Sequence, residues 1–141
     1  MNKKAEQLQK FFEEQKITGF QVHELQDDEH SVVFNSNLVV DGNQLPFGIR
    51  ITDTAINQIQ IRVAENVPDD KMQAVLELIN KYNRNFKVSR FHVAPNKELV
   101  MEIWPVDKPD ELDGSRYTFF ISIIQQQLAG CYKEIMKTLW D

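Results

Sequence analysis

Residues 67–86, VPDDKMQAVLELINKYNRNF, read as one amphipathic helix with its own start and stop signals. Pro68 suits the first helical position, where its missing N–H costs nothing, and Asp69–Asp70 places carboxylates at the positive end of the helix dipole. Asn83 and Asn85 predict the end, because asparagine tolerates the left-handed conformation that often closes a helix. One apolar stripe follows from the three- and four-residue spacing of Met72, Val75, Leu76, Ile79, Tyr82 and Phe86. This helix is therefore expected to cover one face of another element.

The segments around this helix alternate between apolar and polar residues. In Leu45–Thr52 and Asn57–Ala64, every second residue is apolar, and Arg50, Gln58 and Arg62 fall between them. Such alternation predicts strands with one buried and one wet face, which is typical of an antiparallel sheet. The predicted strands are Phe20–Leu25, Ser31–Val40, Leu45–Thr52, Asn57–Ala64, Lys87–Ala94 and Leu99–Val106.

Two further helices are predicted at the ends of the chain. Lys3–Lys16 has a narrow apolar edge, and Tyr117–Leu139 has a long apolar stripe whose start either Asp113 or Ser115 could cap. The resulting order is α-ββββ-α-ββ-α. We therefore predict an α+β fold, a single antiparallel β-sheet with helices packed on one face, that spans residues 1–141 as one domain.

Composition excludes several classes of function. The net charge is −5, from 21 acidic and 16 basic side chains that are scattered, whereas nucleic-acid binders show a basic stripe. The sequence contains no run of about 18 apolar residues, so no membrane span is predicted. The N-terminal residues lack the pattern of a secretory signal. Cys131, the single cysteine, cannot form an internal disulfide, which fits a reducing compartment. We expect a cytoplasmic protein that binds neither nucleic acid nor membrane.

No group of residues spells out a catalytic, cofactor or metal site. His23, His30 and His92 lie on separate elements and lack the close spacing of zinc ligands. The acidic loop Asp107–Ser115 does not match a calcium loop, and phosphate-binding glycine motifs are absent. Cys131 falls on an apolar stripe, where a thiol is usually buried and inert. We therefore predict no catalytic residue, no cofactor and no metal.

Three apolar residues are candidates for an interface. In the alternation of its predicted strand, Trp104 falls on the side opposite to Leu99. It should therefore project from the sheet face that points away from the helices. Phe119 and Ile123 widen the apolar face of the last helix beyond one core-facing stripe. Excess apolar width can mark a partner or dimer surface.

One short pattern resembles a known family. A helix that ends in Asn80–Lys81–Tyr82–Asn83, is entered through Val67–Pro68 and is followed by Phe86–Lys87–Val88 and the strand Leu99–Ile103, resembles the YbjN-like family. That family is related in fold to the chaperones of type III secretion systems, and the resemblance covers about residues 31–139. It implies a small, dimeric, protein-binding or regulatory α+β domain without catalytic residues. The early strand, Phe20–Leu25, departs from the secretion-chaperone pattern.

These observations predict a non-enzymatic, cytoplasmic protein-interaction or regulatory module, chaperone-like and homodimeric, whose protein partner the sequence does not identify. The alternative is a small-molecule or metal-binding sensor that uses the acidic loop or a cavity beneath the sheet. A third interpretation is an unrecognised hydrolase that depends on His92 or Cys131.

Overall fold

Three helices and six strands follow each other in the predicted order. A computed structural model describes residues 1–141. Its elements are α1 (Lys3–Glu14), β1 (Gln21–Glu24), β2 (Val32–Val40), β3 (Asn43–Ile51), β4 (Gln58–Ala64), α2 (Met72–Asn85), β5 (Arg90–Val93), β6 (Leu99–Ile103) and α3 (Gly114–Trp140). The strands form one sheet in the order β1-β2-β3-β4-β6-β5, and every neighbouring pair is antiparallel. The predicted fold class is confirmed.

The core lies between one face of the sheet and the helices. The apolar positions of the alternating strands, such as Ile49 and Ile61, are fully buried. They form a single cluster of 27 buried residues with helix residues that include Leu8, Val75 and Leu128. Burial of one such side chain contributes about 1.5–3 kcal/mol, so the alternation itself places the helices on this face.

The segment 67–86 differs from the prediction in its first turn and in the reason for its end. A 3₁₀ turn, Asp69–Lys71, precedes α2. The asparagines do not adopt the left-handed conformation, because the non-glycine residues with positive φ lie elsewhere. The expectation that Asn83 and Asn85 stop the helix in this way is therefore wrong. Asn83 instead bonds the backbone of Phe91, while Phe86 turns to extended backbone.

The last helix begins earlier than predicted, at Gly114 instead of Tyr117. Asp113 is the cap, because its side chain accepts a hydrogen bond from the Ser115 N–H at 3.0 Å. The helix then runs for 27 residues. None of the helices combines the length and the apolar character that a membrane span needs.

Three loops leave the sheet at one end. The register pairs Val32 with Ile51 and Ile59 with Ile103. The loops 25–31, 52–57 and 104–113 therefore lie at the same end of the strands. We call this part of the molecule the loop end. α1 starts there as well, because Asn2 Nδ2 donates to the carbonyl of Ile51 at 3.0 Å.

Candidate functional site

The face of the sheet that points away from the helices carries no helix, and we call it the open face. One row of paired residues crosses all six strands on this face. The row consists of Gln21, Asn35, Gly48, Gln60, Glu102 and Arg90. Apart from the glycine, these residues carry polar or charged side chains. The open face is therefore wet, as the alternation predicts.

A shallow depression of about 560 Å³ lies in the middle of the open face. Gly48 contributes to it, because a Cβ at this position would lie 2.9 Å from Asn35 Oδ1. Arg50 and Arg62 line the depression, but both guanidinium groups are already in ion pairs. Arg50 contacts Asp27 at 2.8 Å, and Arg62 contacts Glu65 at 3.1 Å. The depression is polar without an unpaired positive charge.

The carboxylate of Glu102 is the most enclosed charge on the open face. It accepts hydrogen bonds from Gln58 Nε2 at 2.8 Å and Gln60 Nε2 at 3.2 Å. His92 Nδ1 lies 3.1 Å from its other oxygen. These partners occupy the carboxylate, so Glu102 holds the polar row in place.

An apolar cluster lies where the open face meets the loop end. Ile56 pairs with Val106 in an isolated antiparallel bridge, so the two side chains share one face. Trp104 stands two residues before Val106 and therefore points the same way. The exposed fractions are 52% for Ile56, 54% for Trp104 and 62% for Val106. We call these three residues the apolar cluster.

A second depression of about 500 Å³ adjoins the apolar cluster. Ile56 and Trp104 form its apolar part, and Glu29, Thr52 and Thr54 are among its polar lining residues. Large exposed apolar side chains beside polar groups are typical of protein-binding surfaces.

A buried polar network supports the apolar cluster from inside. Asn57 is its centre: Oδ1 accepts from Lys4 Nζ at 3.2 Å and from the Thr52 N–H at 2.8 Å. Asn57 Nδ2 donates to Asp107 Oδ2 at 3.0 Å and to the Tyr117 hydroxyl at 2.9 Å. All four hydrogen-bonding positions of this buried amide are thus used. The network joins α1, the two segments of the apolar cluster and α3.

Burial shifts the ionisation of two members of this network. It raises the pKa of the Tyr117 hydroxyl, and the hydrogen bond that this hydroxyl donates to Asp107 adds to the effect. Burial also lowers the pKa of the Lys4 ammonium, against the opposing attraction of the Asp107 carboxylate. Arg116 completes the network with a 2.6 Å contact to Asp107 Oδ1. Asp107, the first residue of the acidic loop Asp107–Ser115, is thus a buried structural residue.

Comparison with known proteins adds no family to these surfaces. No protein-family model, no curated protein and no solved structure matches the chain. The resemblance to the YbjN-like family stays a prediction from the sequence.

The three predicted interface residues lie on two different layers of the molecule. Trp104 is on the open face, whereas Phe119 and Ile123 belong to α3 on the helix side. Phe119 is 62% exposed, and Ile123 is half-buried. The structure therefore does not bring Trp104 together with the other two.

Two exposed residues of the open face escaped the sequence analysis, Ile56 and Val106. The alternation of the strands contains a signal that could have revealed them. Ile56 has the parity of the wet residues Gln58 and Gln60, and Val106 has the parity of Glu102. Each is an apolar residue that continues the wet side of a strand.

The residues considered for metal binding or catalysis are dispersed. His30 contacts Asp53 at 2.6 Å, and His92 contacts Glu102, but no three histidine, cysteine, aspartate or glutamate side chains converge on a metal position. Cys131 lies in the core on the other side of the sheet from His92. Its thiol donates to the Gln127 carbonyl, and burial, followed by the nearby Glu134 carboxylate, raises its pKa to about 12.

Proposed function

We propose that the protein is a non-enzymatic, chaperone-like interaction module that binds another protein through the apolar cluster and the adjoining open face. One observation carries the proposal: Ile56, Trp104 and Val106 are more than half exposed and lie side by side on a face that no helix covers. The predicted likeness to the YbjN-like family agrees with this function.

The energetics of the apolar cluster favour binding. Tryptophan is enriched among the residues that dominate interface energy, where truncation to alanine costs at least about 2 kcal/mol. The buried network beneath Ile56 and Val106 fixes the backbone, since Asp107 N–H donates to the Ala55 carbonyl at 2.8 Å and Asn57 N–H donates to the Pro105 carbonyl at 2.9 Å. A surface that is already rigid loses little entropy on association.

The chain offers a matched control for the test, since Trp104, which follows β6, and Trp140, which ends α3, are exposed to 54% and 61%. Tagged wild-type protein, Trp104→Ala and Trp140→Ala are each used for affinity capture from the native cell, followed by mass spectrometry. We expect a reproducible protein that wild type and Trp140→Ala retain and Trp104→Ala loses. Identical captured proteins for all three baits would refute the proposal.

We also propose that the protein is a homodimer that associates through the exposed side of α3. Phe119 is 62% exposed and Ile123, one turn later, is half-buried, so the first half of α3 presents apolar surface outside the core. Light scattering after size exclusion should give twice the 16.5 kDa chain mass, and Phe119→Glu should give the monomer. A wild-type monomer at high micromolar concentration would contradict this proposal.

A second candidate function is a sensor of a small polar molecule, favoured by the central depression of about 560 Å³ and its lining of amide and guanidinium groups. A ligand that binds only the folded state raises its stability. A thermal-shift panel of polar metabolites should then contain a compound whose effect disappears in Gly48→Val, which fills the depression. A panel without such a compound counts against the sensor.

A further inference from the structure

We infer that the segment bound by the apolar cluster is basic, with lysine or arginine side chains on either side of a large apolar anchor. This inference rests on the proposed function and names the chemistry of the partner. It follows from how charge is distributed around the apolar cluster.

The three loops of the loop end are strongly acidic, whereas the start of α1 beside them supplies the Met1 ammonium, Lys3 and Lys4. Residues 25–31, 52–57 and 104–113 contain eight acidic side chains and a single lysine; the other 118 residues contain 13 acidic and 15 basic side chains. The negative net charge of the protein therefore originates in these three loops. The acidic side chains are Asp27, Asp28, Glu29, Asp53, Asp107, Asp110, Glu111 and Asp113.

Part of this charge has partners inside the protein. Asp27 is paired with Arg50, and Asp107 is paired with Arg116. Asp28, Glu29 and Asp110 are in no ion pair, and all three belong to the loop end. Glu29 and Arg50 line the same depression as Trp104 and Ile56. Because Arg50 is neutralised by Asp27, the Glu29 carboxylate is the unpaired charge beside the apolar cluster.

The partner chemistry follows from this combination. A cationic side chain near Trp104 gains from the face of the indole ring and from the Glu29 carboxylate in the same depression, while an apolar side chain beside it covers Ile56 and Val106. The excess of negative charge in the three loops attracts ligands of the opposite sign and speeds their association. Nucleic acid, an anionic membrane and an acidic peptide are disfavoured by like-charge repulsion. A second copy is disfavoured for the same reason, because two loop ends would face each other.

The test uses fluorescein-labelled peptides of one length and measures anisotropy. The first peptide contains lysines around one tryptophan and two leucines; the second has glutamates in place of the lysines; the third has serines in place of the apolar residues. The proteins are wild type, Trp104→Ala, Asp28→Asn/Glu29→Gln, and the controls Trp140→Ala and Asp70→Asn/Glu77→Gln. The control carboxylates belong to the region around α2, outside the loop end.

We expect only the lysine–apolar peptide to bind. Trp104→Ala should weaken it roughly tenfold or more, and Asp28→Asn/Glu29→Gln should weaken it several-fold and flatten its salt dependence. Both controls should bind like wild type. Equal or tighter binding of the glutamate or serine peptide would overturn the inference. The inference would also be overturned if Trp104→Ala and Asp28→Asn/Glu29→Gln bound the lysine–apolar peptide like wild type.

The failure of this inference can be told apart from the failure of the proposed function. Suppose that a partner is captured only when Trp104 is present, but that it binds through an acidic or uncharged segment of its own. That result would refute the inference and leave the proposed function standing. Capture that is independent of Trp104 would refute the function whatever the peptides show. A dimer that dissociates in Trp104→Ala would show that a second copy occupies the apolar cluster and would also overturn the inference.

Discussion

The side-chain amide of Asn83 pairs with both backbone groups of Phe91. Its Nδ2 donates to the Phe91 carbonyl at 3.0 Å, and its Oδ1 accepts from the Phe91 N–H at 2.8 Å. In an antiparallel strand the N–H and carbonyl of one residue point to the same side, and β5 is the last strand of the sheet. Asn83 therefore stands where a further strand would pair and closes this edge. Exposed sheet edges otherwise invite pairing between molecules.

Replacing Asn83 by alanine should destabilise the protein and open this edge. Two hydrogen bonds are lost at a partly buried site, which predicts a cost of about 1–3 kcal/mol in the free energy of unfolding. Urea denaturation measures this cost, and light scattering at elevated temperature measures aggregation. Asn80→Ala, at an exposed position of the same helix, is the control and should neither lower the stability nor increase aggregation.

Removing the Tyr117 hydroxyl should lower the stability near neutral pH and matter less at alkaline pH. Its folded-state pKa is raised, so the neutral hydroxyl is favoured in the folded protein. That contribution is complete below the unfolded pKa of about 10 and is lost as the pH rises toward the folded value. Tyr117→Phe should therefore be less stable than wild type near neutral pH, by about 1–3 kcal/mol.

The difference in stability between wild type and Tyr117→Phe should shrink above about pH 10. Denaturant titrations at several alkaline pH values measure it. Tyr132→Phe serves as the comparison. Burial raises the pKa of this tyrosine too, but Tyr132 lies outside the polar network, so the comparison separates burial of a tyrosine from loss of the network. A gap that stays constant with pH would show that Tyr117 does not titrate with folding.

Two glycines of α3 should respond in opposite directions to alanine. A Cβ on Gly114 would overlap the ring of Phe11, whereas a Cβ on Gly130 would meet nothing within 4 Å. Gly114→Ala should cost about 1–3 kcal/mol through overpacking. Gly130→Ala should gain about 0.5–1 kcal/mol from helix propensity. Thermal and urea unfolding of both variants check the two signs, and stabilisation by Gly114→Ala would contradict the contact.

The early strand β1 should depend on the aromatic residue that precedes it, Phe20. The ring of Phe20 stacks on Phe12, with centroids 4.5 Å apart and an interplanar angle of 3°, and meets Phe34 and Phe47 edge-on. Phe20→Ala should lower stability by about 2–3 kcal/mol, and Phe20→Leu by less. Hydrogen exchange should show faster exchange of β1 amides in Phe20→Ala, while the amides of β4 keep their protection.

Much of the fold could be predicted because it depends on local periods. The two-residue period of β3 and β4 and the helical period of α2 each fix which side chains meet the core. Boundaries were less predictable because they depend on hydrogen bonds to distant residues. The predicted strand Leu99–Val106 stops at Ile103, since Pro105 cannot donate to the ladder, and Lys87–Ala94 contributes only its middle as β5.

The candidate site shows the same division. By its parity alone, Trp104 was predicted to point away from the helices, and it lies on the open face. The helix α2 ends at Asn85, as predicted, but not through a left-handed asparagine. The pairing of Asn83 with Phe91 could not be predicted, because Phe91 lies on the neighbouring strand and no local pattern reveals it. Ile56 and Val106 could not be singled out, because a single exposed apolar residue is common in a sequence. Only their pairing in the structure makes them one surface.

The sequence by itself determined which side of each element is apolar, because pleat and helix geometry impose their periods residue by residue. The tertiary structure alone decided which elements became neighbours. It placed β6 between β4 and β5, joined Lys4, Asn57 and Asp107 in one network and set Glu29 beside Trp104. These contacts join residues some 50 positions apart, and they are fixed only when the whole core packs at once.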